Sequence, residues 1–366
     1  MKKVLLAITA ALIAYLLLWP VPIEPVAWQA PTAPALEGQY AVNRALANAE
    51  WLANHQGEGP EDVAIDADGN LYVGYVDGRI VRFDANGANP TTLANTAGRP
   101  LGLDFDPQGN LIIADGYKGL LQMSISADQT HGELTVLSTE ANGVPFLFTD
   151  DIDVADDGAM YFSDASSKFG PKMKARDDVL EHGGHGRLLR FDPKTQKTDV
   201  LLDGLQFANG IAVCPDQSCV LVTQTGSYNI IRYWLNGELA GTHDIFFSNL
   251  PGIPDGMSSN GKDTYWVALY APRNAMLDSI SSMPLLRKIA MRLPSFLQPQ
   301  PAQHAFVLGL SLDGQVTHNL QHQGADSFHP ITSVEQYNNT LYLGSLTQPA
   351  FARLPLSTDS GGEEHE

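Results

Sequence analysis

Only two cysteines, Cys214 and Cys219, occur in 366 residues. A disulfide framework is therefore excluded, and so is a zinc site, because no second Cys/His pair accompanies them. The two flank Pro215-Asp216-Gln217-Ser218 between strands that read as a hairpin. That spacing suits one disulfide or two small strand residues that stay reduced, and both readings stand. Basic residues are also scarce: 22 Lys and Arg face 41 Asp and Glu, a formal net charge of −19. Nucleic acid is excluded as a partner, since its phosphates would be repelled. There is no nucleophile elbow, no phosphate-cradling glycine loop and no setting for a cysteine nucleophile.

Long apolar runs are nearly absent too. The exception is residues 4–19, preceded by Lys2-Lys3 and followed by Pro20 and Pro22. A basic flank, an apolar stretch and a helix breaker form an export signal. The run is short of the ~20 residues a spanning helix needs, and continuing through Val21 and Ile23 brings it close. The expectation is a membrane anchor over 1–24, with the lysines cytoplasmic and the remainder extracytoplasmic, periplasmic or lumenal. The alternative is a secreted protein cleaved after Ala33-Pro34-Ala35. Residues 25–44 then form a linker, and 356–366 a flexible acidic tail.

What is abundant is a repeat. Asp62-Val63-Ala64-Ile65-Asp66 runs into a turn at Asp68-Gly69-Asn70, and Leu71-Tyr72-Val73 follows. Next come Asp77-Gly78 and Arg79-Ile80-Val81-Arg82-Phe83. Strand-period alternation with Asp-Gly turns marks a meander of hairpins. The unit recurs six times, and the last lacks a fourth strand, whereas Ala49-Glu50-Trp51-Leu52-Ala53 precedes the first. The expected fold is an all-β, six-bladed β-propeller over 45–355 whose last blade is closed by the N-terminal strand.

In each unit one residue stands eleven positions before the second member of an apolar pair: Glu61, Leu101, Asp150, Asn209, Asp255 and Ile331. Radial symmetry brings these six to one axis. Three carboxylates and a carboxamide meeting there suit a hard cation, Ca2+, held by Glu61, Asp150, Asn209 and Asp255. Two insertions lengthen the units, at 168–186 and 272–303. The second alternates Leu285-Leu286 and Ile289 with Arg287, Lys288 and Arg292. It reads as a basic amphipathic helix, either packed on a propeller face or serving as a lid or membrane contact.

Phe148-Thr149-Asp150-Asp151-Ile152-Asp153-Val154 resembles the strictosidine synthase-like family. So do Tyr161-Phe162-Ser163-Asp164-Ala165-Ser166-Ser167-Lys168-Phe169, Phe207-Ala208-Asn209-Gly210 and Asn249-Leu250-Pro251-Gly252-Ile253-Pro254-Asp255. The likeness includes the branch with adipocyte plasma membrane-associated protein and covers nearly the whole chain. It implies a calcium propeller related to gluconolactonases and paraoxonases, and a calcium-dependent hydrolase of a small ester or lactone. Asp255 is the expected base or nucleophile, and His329, near the tunnel mouth, the expected proton shuttle. Leu101 stands where paraoxonases place a catalytic His. His329 stands where strictosidine synthase has its Glu, so alkaloid condensation is not expected. A calcium-stabilised binding or scaffold propeller is the other reading. His182 and His185, at the end of the first insertion, are candidates for the entrance.

Overall fold

The computed structural model describes residues 1–170 and 175–356. Four residues of the first insertion and the acidic tail from 357 onward lie outside the described residues. Six four-stranded antiparallel sheets follow one another along the chain. Their first strands are Val63–Ile65, Pro100–Phe105, Thr149–Val154, Ala208–Val213, Gly252–Ser259 and Ser333–Tyr337. In the sixth sheet the outer strand is Glu50–Leu52, paired antiparallel with Phe351–Pro355. The fold is thus the six-bladed propeller expected from the repeat, with its ring closed by the N-terminal strand. Closure in this way leaves the sixth blade four-stranded like the others.

Turn chemistry explains the regularity of the blades. Asp66 accepts from the amides of Asp68 and Asn70 at 3.0 and 2.8 Å, and Asp106 accepts in the same way from Gln108 and Asn110 at 2.9 and 2.8 Å. Gly69 and Gly109 take φ of 83° and 81°, a region open to glycine at no steric cost. Six apolar clusters then fill the wedges between neighbouring blades. One packs Leu221 and Ile230 of the fourth blade on Tyr265 and Phe306 of the fifth. Another packs Val73 and Phe83 of the first blade on Tyr342 and Phe351 of the sixth. Cys214 and Cys219 are joined in a disulfide with their Cα atoms 5.2 Å apart, so the oxidised reading of the pair holds.

The inner strands are also stapled to one another by side chains. Asp62 accepts from Leu103 N (2.9 Å), Asp104 from Val154 N (2.7 Å), Asp151 from Ile211 N (2.8 Å) and Asp153 from Val213 N (2.7 Å). Thr223 Oγ1 donates to Asp255 O, Ser258 Oγ to Val334 O, and Thr332 Oγ1 to Glu61 O. Each bond runs from one blade to the next, where no backbone ladder exists. The acidic cluster at this end of the tunnel therefore has a structural task.

Both insertions leave the ring between the second and third strands of their blades, the third and the fifth, so they rise over one face. The first carries a helix, Ala175–Glu181. The second carries Ala275–Ser279 and Pro284–Arg292. The stretch expected to be a linker is laid across both as a strap. Val26 N donates to Glu181 O, Trp28 N to Ser281 O, and Arg273 Nη2 to Pro31 O. Ile23 is fully buried against Phe169 and Leu180.

Beneath the strap, Glu181 accepts from Lys168 Nζ (2.6 Å), His185 Nε2 (2.7 Å) and Glu24 N (2.7 Å). Trp28 stacks on His182 with ring centroids 4.1 Å apart. His182 and His185 thus belong to the roof's internal packing rather than to the tunnel lining. Asp178 beside them accepts from Ser166 Oγ at 2.5 Å, but its Oδ1 is buried without a partner. Burial pushes its carboxyl up to about 6. An acid with a raised folded pKa loses stability as pH rises from its unfolded value through that point. Asp178→Asn should therefore raise stability at pH 7 by about 1 kcal/mol. It should also flatten the decline in Tm between pH 4 and 7, measured by thermal melts of both proteins.

Candidate active site at the tunnel mouth

The ring residues sit where the inner strands break register. The ladder shifts between Pro100 and Leu103, Thr149 and Ile152, Ala208 and Ile211, and Pro254 and Met257. Leu101, Asp150, Asn209 and Asp255 fall inside these four irregularities. A bulge re-aims a side chain that would otherwise point into the blade. Glu61 and Ile331 occupy the corresponding places just before their inner strands.

Glu61, Leu101, Asp150, Asn209 and Asp255 all line one cavity of about 480 Å³. Its walls are largely apolar, with Phe148, Phe207, Ile253 and Leu346 among them. The two insertions roof it through Arg176 and Val179 on one side and Leu277 and the 298–302 segment on the other. Arg176 bonds Gln298 across the mouth. A concave, mostly apolar volume with a few convergent polar groups is the usual form of a small-molecule site.

Electrostatically the floor is strained. Burial raises Glu61 far above the carboxylate range, and the charges of Asp150 and Asp255 push it further. Asp150 is raised by burial and then by Asp255 and Asp151, with Arg99 pulling the other way. Asp255 is pushed up to about 7 by burial, which the amide of Asn209 opposes. That amide donates to Asp255 Oδ1 at 2.5 Å. Asp150 Oδ2 is buried with no partner. Among the described residues no three carboxylate, imidazole or thiolate groups close on one point at metal-ligating distance. The floor is thus a cluster of crowded oxygens with one orphaned acceptor. Oxygen donors of this kind, buried and mutually repelling, fit a calcium ion.

A family model described as strictosidine synthase matches residues 150–238, and one described as strictosidine synthase-like, N-terminal, matches residues 38–83. Strictosidine synthase-like protein 6 of Arabidopsis thaliana is 37% identical over 319 residues, which span 86% of this chain and 83% of the relative. The chain belongs to the strictosidine synthase-like family. Adipocyte plasma membrane-associated protein of Rattus norvegicus is 31% identical over 383 residues, covering 98% of this chain and 100% of the relative. Among solved structures, a gluconolactonase from Xanthomonas campestris superposes with a TM-score of 0.60 at 19% identity, over 92% of this chain and 99% of that one. A regucalcin from Agrobacterium tumefaciens, described as calcium-binding, gives 0.57 at 13% identity, over 84% and 94%. At those identities the two structures establish the propeller fold alone.

This strictosidine synthase-like chain departs from the expected site at His329. Its Nδ1 faces Ser327 Oγ at 2.9 Å and Ser327 O at 3.0 Å, in a turn with a cis peptide to Pro330. It is not among the described residues that line the cavity. A proton shuttle must reach the reacting atoms, so the role expected of His329 finds no geometric support.

Two residues that sequence reasoning missed bear on the floor instead, Tyr270 from the cavity lining and Arg99 through its charge from behind it. Arg99, two positions before Leu101, is buried and donates to Gly59 O at 2.9 Å. Burial lowers its pKa, against the pull of Glu61, Tyr117 and Asp150. It is the floor's counter-charge. Tyr270, on the strand Thr264–Pro272, lines the cavity, and its phenol is raised by burial and by the charge of Asp255. It stays protonated, and no described residue bonds its hydroxyl. Neither has a motif. Their signal is position only: Arg99 stands two positions before a ring residue, and Tyr270 lies near the end of the strand paired with the one that carries Asp255.

Proposed function

We propose that this chain is a calcium-dependent hydrolase of a small ester or lactone, acting at the axial ring. The observation that supports it most is the open, apolar-walled cavity of about 480 Å³ whose floor holds Glu61, Asp150, Asn209 and Asp255. A tunnel filled by bulky side chains would have suited a scaffold. Those four residues would hold the calcium ion, which when bound supplies a Lewis acid for a carbonyl oxygen. Asp255, steadied by the Asn209 amide, takes a proton from the attacking water, whose oxygen bonds to the carbonyl carbon. The same proton returns to the departing alkoxide as the ester C–O bond breaks, which regenerates the carboxylate. Tyr270, held protonated, donates to the oxygen on which charge develops. The apolar walls exclude bulk water and favour an uncharged substrate.

The second reading is a calcium-stabilised binding propeller. Its support is Leu101, which puts an apolar side chain in the ring where paraoxonases place a catalytic imidazole. A panel of aryl esters and lactones, assayed on the full chain with and without a chelator, separates the two. Chelator-sensitive turnover is expected. Calcium at about a hundred times its dissociation constant should also stabilise the fold by ~2.7 kcal/mol. An unchanged Tm between excess calcium and chelator would remove the metal from both readings. Binding without turnover would favour the second.

The same proposal places the propeller outside the cytoplasm, associated with a membrane through the N-terminal segment. The Cys214–Cys219 bridge supports an oxidising compartment. The rat relative is by name a plasma membrane-associated protein. Among the described residues no helix is long and apolar enough to cross a membrane. The N-terminal helix, Lys2–Leu18, has 17 residues. That is ~25 Å at the usual rise, against a hydrocarbon core of ~30 Å.

A further inference from the structure

The helix Pro284–Arg292 of the second insertion has its polarity reversed. The sequence leaves this helix either packed on a propeller face or serving as a lid or membrane contact, and an ordinary packed helix would bury its leucines. Instead Arg287 and Arg292 are 3% and 8% exposed, whereas Leu285 is 54% exposed. Arg287 donates to Leu180 O at 2.9 Å and also to Val26 O, which binds the strap and the first insertion together. Arg292 donates to Trp19 O at 2.6 Å and Leu16 O at 2.8 Å, and Tyr15 Oη donates to Arg292 O. It thereby caps the last carbonyls of the N-terminal helix, whose final turn carries no basic residue of its own.

The consequence is one continuous apolar surface. Met283, Leu285, Leu286 and Leu297 point outward, and Phe296 is 80% exposed. The N-terminal helix tied to them buries none of its side chains, and its exposed Val4, Leu5, Leu6, Leu12, Leu17 and Leu18 lie on all sides rather than along one stripe. A helix apolar all round matches lipid, whereas a stripe would match a partner helix. Trp19, exposed where the helix meets the insertion, suits the headgroup level.

We infer that this face, residues 283–297 together with the N-terminal helix, rests in the surface of a lipid bilayer. The cavity mouth, roofed by the immediately following 298–302 segment, then opens beside the hydrocarbon. The helix alone is too short to span, and the insertion supplies the remaining apolar area. With its guanidinium groups turned inward, the insertion contributes apolar area, and the positive side-chain charge of the face is confined to Lys2, Lys3 and Lys288. Sparingly soluble esters dissolved in the bilayer would reach Asp255 without crossing water. The inference rests on the membrane association proposed above and on the hydrolase reading only for that last step.

The test uses the full chain reconstituted in phosphatidylcholine vesicles, with a nitroxide on Phe296→Cys or, separately, Leu285→Cys. No free thiol of the chain competes for the label. Ile245→Cys, exposed on the outer strand of the fourth blade, is the reference. Labels at 296 and 285 should collide with oxygen and lose access to a water-soluble nickel chelate, and the label at 245 should do the reverse. Nickel access at 296 and 285 equal to that at 245, in protein that floats with the vesicles, would overturn the inference and leave membrane association intact. Failure to float at all would overturn both. Spin–spin broadening between copies, with neither reagent reaching the labels, would assign the face to a second copy of the chain and overturn it as well. None of these readouts depends on catalytic activity.

Discussion

Asp255→Asn is expected to lower chelator-sensitive turnover at least ~10²-fold, the lower range for a positioned acid–base group. Asn keeps an oxygen for the ion but accepts no proton at neutral pH. The calcium-dependent rise in Tm should therefore largely survive. The geometry sharpens the expectation, because Asp255 Oδ1 is already held by the Asn209 amide at 2.5 Å. Leu101→Ala is the companion control. It lines the same cavity without a donor atom, so calcium binding should remain. Steady-state rates and calcium titrations of both variants decide the matter. Full activity in Asp255→Asn would make Asp255 a ligand only and move the chemistry elsewhere, with Tyr270→Phe the next variant to examine.

The largest loss of stability is expected from Gly210→Ala. A Cβ at Gly210 would lie 2.6 Å from Asp255 O and closer still to Met257 N, both backbone atoms of the neighbouring inner strand. No side-chain rotation relieves that clash, so the fourth and fifth blades must part at the axis. A cost above ~3 kcal/mol follows from overpacking a rigid core. The effect should also reach the site, because the strands being separated carry Asn209 and Asp255. Gly237→Ala offers a contrast: no atom lies within 4 Å of a Cβ there, so only the strain of its positive φ, 75°, is introduced. Denaturant melts of the two variants test this. Equal stability of Gly210→Ala and the parent protein would show that the inner strands are free to shift.

The N-terminal strand, the six units and the ring positions were legible in the sequence because each depends on short-range chemistry. Asp-Gly turns fix hairpins, alternation fixes which residues face a neighbouring blade, and equal spacing fixes which residues share the axis. The residues 25–44 read as a linker because they lack strand periodicity. Their docking depends on carbonyls and amides of both insertions, which no local pattern announces. Arg99 and Tyr270 were invisible for a related reason. Tyr270 reaches the cavity, and Arg99 comes to act on Glu61 and Asp150, only because folding brings together strands far apart in the chain.

His329 and the second insertion show the limit from the other side. His329 is close in sequence to a ring residue, yet its turn holds the imidazole against Ser327. Leu285, Arg287 and Arg292 have the spacing of an ordinary amphipathic helix, and spacing alone determines only that two faces differ. Which face turns inward is decided by what waits there. In this protein the inward side offers backbone carbonyls of the strap, the first insertion and the N-terminal helix, which the two guanidinium groups satisfy and leucines could not. The sequence by itself therefore determined the propeller, its closure and the identity of its axial oxygens. The tertiary structure alone decided the polarity of the roof, the counter-charge and phenol at the floor, and which surface the mouth adjoins, because those depend on hydrogen-bonding partners that folding brings together from distant parts of the chain.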